Sequence, residues 1–236
     1  IASTYAQGSV KQTKKKIAYA IKVTMLISIP AAVGIGVLAR PVMMVLFPQL
    51  ESLELASRLL AGLAATVVLY GLSTLTNAAL QGIGKVNTPV INAVIAIAVQ
   101  TAVLVSILYY TDWGVYGVMA ATVLYSLLMC ILNNIFMRKY LGYKQEIDKT
   151  FARPVFCAVI MGAAAYGIYE GMSYVLALFM ESAYFMNLIA FGIAALIGAM
   201  LYFVLAVKLK AVKETDLKGL PKGQMIVKAA KKMKLL

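Results

Sequence analysis

Six stretches of roughly twenty apolar residues, joined by short polar connections, leave this chain few folds to choose from. A helix needs roughly 20 apolar residues to cross about 30 Å of hydrocarbon, where every backbone polar group must be bonded internally. The stretches fall at residues 17–39, 55–80, 89–110, 114–136, 152–176 and 185–207. Of 236 residues, 62% are hydrophobic and 13% charged, about half the charged share of an ordinary soluble domain. The mean hydropathy is +0.87. The reading is an all-α integral membrane protein with six transmembrane helices. Pro30, followed by Gly34 and Gly36, is expected to bend the first span. The run 40–49 is too short to span and is expected to form an interfacial or partly re-entrant helix.

Charge gives the orientation. Six spans place twenty of the 22 lysines and arginines on one side and leave only Arg40 and Arg58 on the other. The positive-inside rule then puts both termini in the cytoplasm. The chain divides into a cytoplasmic basic loop (1–16), four transmembrane helices (17–136), a basic cytoplasmic loop (137–151), a terminal transmembrane pair (152–207) and a basic cytoplasmic tail (208–236). In the tail, Met225, Ile226, Ala229, Ala230 and Met233 recur at the spacing of an amphipathic surface helix. Tyr109, Tyr110 and Trp113 belong at headgroup level in the hairpin joining the third and fourth spans. The net charge of +13 sits in lysine blocks beside apolar segments, which points to anionic membrane lipids and away from nucleic acid. The first fifteen residues lack the apolar core of a signal peptide, and a chain opening on Ile1 is expected to be a truncated product.

Chemistry inside the chain is scarce. Histidine is absent, the nine carboxylates are scattered, and Cys130 and Cys157 lie in apolar stretches without metal-ligand spacing. No catalytic constellation, metal site or cofactor site can be assembled, so an enzyme is not expected.

The polar residues within the spans carry the functional signal, since polar side chains in hydrocarbon face a neighbouring helix or water. On the second span Thr66, Tyr70, Ser73, Thr74, Asn77 and Gln81 recur at three- and four-residue steps, hence on one helical face. A stripe of that length reads as a cavity wall, to which Asn92 and Gln100 of the third span and Thr122, Ser126 and Asn133 of the fourth can add. Its alternative is hydrogen bonding between packed helices. Lys22 and Arg58 are placed to snorkel. Glu170, the one carboxylate well inside an apolar segment, is a candidate ion or proton site, set against an ordinary interfacial carboxylate.

Three stretches, NAALQGIGK at 77–85, IPAAVGIGVLARPVMMVLF at 29–47 and KGLPKGQMI at 218–226, resemble polysaccharide-biosynthesis membrane proteins. These belong to the multidrug/oligosaccharidyl-lipid/polysaccharide (MOP, MATE-like) exporter superfamily, and the similarity is to the branch of stage V sporulation protein B and the lipid II flippases. The resemblance implies the second half of a fourteen-helix transporter, helices nine to fourteen, whose amino-terminal lobe is missing. It implies flipping of an undecaprenyl-linked sugar precursor for peptidoglycan, spore cortex or polysaccharide across a bacterial plasma membrane by alternating access. The headgroup site is expected in the absent lobe. The terminal pair would line a groove for the polyprenyl tail, with Ala164, Ala195 and Gly198 as candidate lining. Such small residues equally serve close helix packing. Against this stand a drug/cation antiporter of the same superfamily, for which only Glu170 offers a buried acid, and a non-transporting membrane scaffold.

Overall fold

A computed structural model describes residues 1–48, 51–209 and 211. Among the described residues there are helices and no strands. They are α1 (Ala2–Ala6), α2 (Val10–Val37), α3 (Ala39–Leu46), α4 (Leu53–Gly82), α5 (Asn87–Tyr110), α6 (Val115–Leu141), α7 (Arg153–Ala177) and α8 (Ala183–Lys208), with a π-helical turn, Asp148–Ala152, ahead of α7. Six of them, α2 and α4 through α8, are long and apolar enough to cross a membrane. The amphipathic surface helix expected at 225–233 lies outside the described residues.

The helix ends follow local chemistry. Pro154, at the start of α7, occupies a position where a helix has no use for a backbone N–H. The α5–α6 hairpin turns through Gly114, whose φ of 51° and ψ of −122° suit a residue without a Cβ. Tyr109, Tyr110 and Trp113 stand exposed around it. At the other end of α6, Gly142 is left-handed (φ 56°, ψ 33°). Its N–H reaches the Arg138 carbonyl at 2.8 Å and that of Tyr143 reaches the Met137 carbonyl at 3.4 Å, closing the last turn. Arg138 and Lys139 in that turn oppose the negative end of the helix dipole. Tyr143 is buried just beyond, and its burial, with the Glu146 charge second, holds the phenol above its ordinary range.

α2 starts seven residues ahead of the apolar stretch, because lysines continue a helix as readily as they interrupt a hydropathy plot. It is assigned as one helix through Pro30. The interruption comes at Leu38 (φ −101°, ψ 26°), where α3 begins.

The chain forms two compact units. The first takes Ile1–Ser28 and Gly62–Glu146. It contains α1, the first part of α2, most of α4, and the α5–α6 hairpin. The second takes Ile29–Ala61 and the chain from Ile147 onward, hence the end of α2, α3, the start of α4, and the pair α7 and α8. Ile17, Ile21, Met25, Leu80 and Ala96 are buried in the first unit, and Ile29, Leu38, Cys157, Ala158, Ala190 and Ala194 in the second. α5 is the least buried of the six and exposes Val90, Ile91, Val94 and Val105. In water such a face would be a liability, whereas against lipid tails it matches the solvent. In the second unit Glu54 of α4 bonds Arg58 at 3.0 Å and lies 4.0 Å from Arg40.

Candidate functional site

In the second unit the end of α2, α3, α7 and α8 line a half-open cavity of about 380 Å³, within the roughly 300–1,000 Å³ range of ligand pockets. α2 contributes Pro30 and Gly34, α7 Met161 and Ala165, and α8 Phe191, Ala194, Ala195, Gly198, Ala199 and Tyr202, with Leu38 and Val42 from the α2–α3 junction. None of the described lining residues is charged. Beside the cavity, small residues let the helices approach closely. A Cβ on Gly162 would stand 2.7 Å from Val33 Cγ1, so a side chain there would force Val33 to shift. One on Gly198 would meet the Ala165 Cβ at 3.3 Å, which sets the α7–α8 spacing beside the cavity. Of the candidate groove residues, Ala195 and Gly198 line the cavity; Ala164 is not part of its lining.

A polar tie holds this unit near α3. Asn187 of α8, fully buried, donates to the Pro41 carbonyl at 3.1 Å and accepts from the Tyr169 hydroxyl at 2.8 Å. One amide thus joins α3, α7 and α8. The sequence marks Asn187 only as a polar residue in an apolar helix, and its backbone-carbonyl partner carries no side-chain signal. Glu170, next to Tyr169, is exposed.

The polar stripe of α4 lies in the first unit and has two edges. On one edge Thr66, Ser73 and Thr76 are buried, their hydroxyls bonded to α4 carbonyls. Asn133 of α6, fully buried, reaches Asn77 Oδ1 at 2.8 Å and Thr76 Oγ1 at 3.1 Å through its Nδ2. Its Oδ1 accepts from Asn92 Nδ2 of α5 at 2.9 Å. Three spans therefore meet at one side-chain amide. The Oδ1 of Asn92 is buried and finds no donor among the described residues. On the other edge Tyr70, Thr74 and Gln81 are exposed, with the Tyr70 and Tyr125 rings 6.3 Å apart. At about 100° per residue these three fall within a narrow sector, and Asn77 stands at the boundary. Gln100 is half-buried further along α5. Cys130 points its thiol at the Leu69 carbonyl, 3.1 Å away.

The family model of the lipid II flippase MurJ matches residues 1–185. The chain belongs to the MurJ family. A relative named lipid II flippase MurJ in Bacillus subtilis (strain 168) is 26% identical over 167 residues, which is 70% of this chain and 30% of that protein. The chain thus spans about 30% of the length of this curated MurJ relative. No solved structure matches it. The MurJ match covers the whole polar stripe and α7, whereas α8, which begins at Ala183, lies almost entirely beyond it.

Proposed function

We propose that the chain is the carboxy-terminal part of a flippase that carries an undecaprenyl-linked sugar precursor between the leaflets of a bacterial plasma membrane. The observation that carries this reading is the uncharged cavity of about 380 Å³ between the terminal helix pair and α2–α3. A long isoprenoid tail needs an apolar slot with small side chains along it, and Ala194, Ala195, Gly198 and Ala199 present one on α8. Membership in the MurJ family favours a lipid-linked cargo over a drug. Peptidoglycan lipid II is the leading substrate, with spore-cortex and polysaccharide precursors as the other members of the class.

The amino-terminal lobe of the whole protein supplies the headgroup site in this reading. The exposed edge of the α4 stripe, Tyr70, Thr74 and Gln81, faces the headgroup's path, and the packed edge keeps α4, α5 and α6 together as the lobes rock. The carrier moves its substrate without chemical change, so no catalytic residue is assigned. Both termini are cytoplasmic.

Ala195→Trp in the full-length protein tests the reading. It should cut flipping of a polyprenyl-linked substrate in proteoliposomes at least about tenfold, the scale of about 1.4 kcal/mol, at normal membrane abundance. Ala164→Trp, outside the lining, should leave flipping near wild type. Normal flipping by a stably inserted Ala195→Trp variant would remove the groove from the mechanism.

A further inference from the structure

Two lysines at one end of the first unit are set on a single aromatic stack. Phe136 and Tyr140, one turn apart on α6, lie with ring centroids 5.8 Å apart and planes inclined by 23°. Lys85, from the α4–α5 turn, holds its Nζ 5.1 Å from the Tyr140 centroid, and Lys139 holds its Nζ 6.0 Å from that of Phe136. Both distances are within the reach of cation–π attraction. A third segment arrives at the same place. Lys14 of α2 brings its Nζ within 3.5 Å of where a Gly142 Cβ would stand, and α1 is tied in by Lys16, which donates to Thr4 Oγ1. Segments more than fifty residues apart thus gather ammonium groups around the last turn of α6.

The charge around them is unbalanced. The first unit holds nine lysines and arginines and two carboxylates, Asp112 and Glu146. Asp112 is in the hairpin at the opposite ends of α5 and α6, which leaves Glu146 as the first unit's one carboxylate on the side of the α6 C-terminus. In the adjoining loop Gln145 Nε2 is buried and meets no acceptor among the described residues. Directly beyond Lys85, Val86, Val90 and Ile91 are more than half exposed, an apolar face that continues onto α5.

We propose that this end of the first unit is a docking site for an anionic phospholipid, its phosphate held by Lys85 and Lys139 and its acyl chains laid along the exposed start of α5. A basic cluster at the end of membrane spans is where lipid phosphates are recognised. The aromatic stack holds the two ammonium groups in place, lowering the entropy lost on binding. The apolar face beneath them selects a bilayer lipid over a free anion.

The intact protein, purified in detergent, is titrated with fluorescent phosphatidylglycerol and with the matched phosphatidylcholine. Phosphatidylglycerol should bind about thirtyfold more tightly, at about fivefold per lysine. Lys85→Gln with Lys139→Gln should bring the two lipids to near equality, and Lys85→Arg with Lys139→Arg should preserve the preference. Tyr140→Leu, which keeps every charge, should weaken phosphatidylglycerol several-fold and leave phosphatidylcholine unchanged. Should the double Gln variant fail to fold, each single Gln variant must lose about fivefold. Three results overturn the proposal: equal binding of both lipids by the wild type, an undiminished preference in the Gln variants, or inorganic phosphate competing as well as phosphatidylglycerol.

Discussion

Asn133 Nδ2 lies 2.8 Å from Asn77 Oδ1, so the amide of one α6 residue is bonded directly to the polar stripe of α4. The same residue accepts from Asn92, and the three asparagines belong to three different spans. Within hydrocarbon an amide that loses its partners has no water to turn to.

Asn133→Leu should therefore destabilise the protein by about 1–3 kcal/mol, because the amide of Asn92 and the carbonyl of Asn77 both lose a partner. A double-mutant cycle with Asn92→Leu should return a coupling of about 0.6–1.7 kcal/mol, the range of hydrogen bonds between membrane helices. Unfolding in mixed detergent measures both. Zero coupling would mean that the two amides do not act on each other.

Gly162→Val should cost about 1–3 kcal/mol by overpacking, since even a Cβ at 162 would stand 2.7 Å from Val33 Cγ1. Val33→Ala should return most of that loss when combined with it. Thermal unfolding of the two single variants and the pair decides the matter, and a strictly additive pair would place the strain elsewhere.

Single cysteines at Tyr70 and Gln81 should react with a membrane-impermeant maleimide faster than those at Ser73 and Ala79. The first two are exposed and the second two buried. Labelling in intact membranes is the test. Uniformly slow labelling would assign the whole stripe to helix packing.

A reporter active only in the cytoplasm should work when fused after Leu236 and fail when inserted beside Asp112. The expectation follows from the distribution of basic residues, with Arg40 and Arg58 alone on the Asp112 side. The reverse pattern would invert the topology.

Hydropathy alone located four of the six spans, α4, α5, α7 and α8, to within a few residues. It was less informative where a helix outruns its apolar core. α2 begins at Val10 and α6 continues to Leu141, since helical hydrogen bonding does not stop where side chains become polar. The stripe on α4 was legible from spacing, but its division was not. Whether Ser73 or Tyr70 ends in a packed interface depends on where α5 and α6 lie, which is tertiary information. Asn133 could be named as polar without any sign that it bonds two other spans. Likewise, the small residues of α7 and α8 hinted at a slot, while the wall formed by Pro30, Gly34 and Leu38 comes from elsewhere in the chain.

Beside the slot, α7 packs too closely against α2 and α8 to accept a larger side chain without a shift. A Cβ at 162 would stand 2.7 Å from Val33 Cγ1 of α2, and one at 198 would stand 3.3 Å from the Ala165 Cβ. Ala195 and Ala199 of α8 also line the slot and are less enclosed. Any refitting of its bore to a thicker or thinner chain by point substitution therefore starts at Ala195 and Ala199.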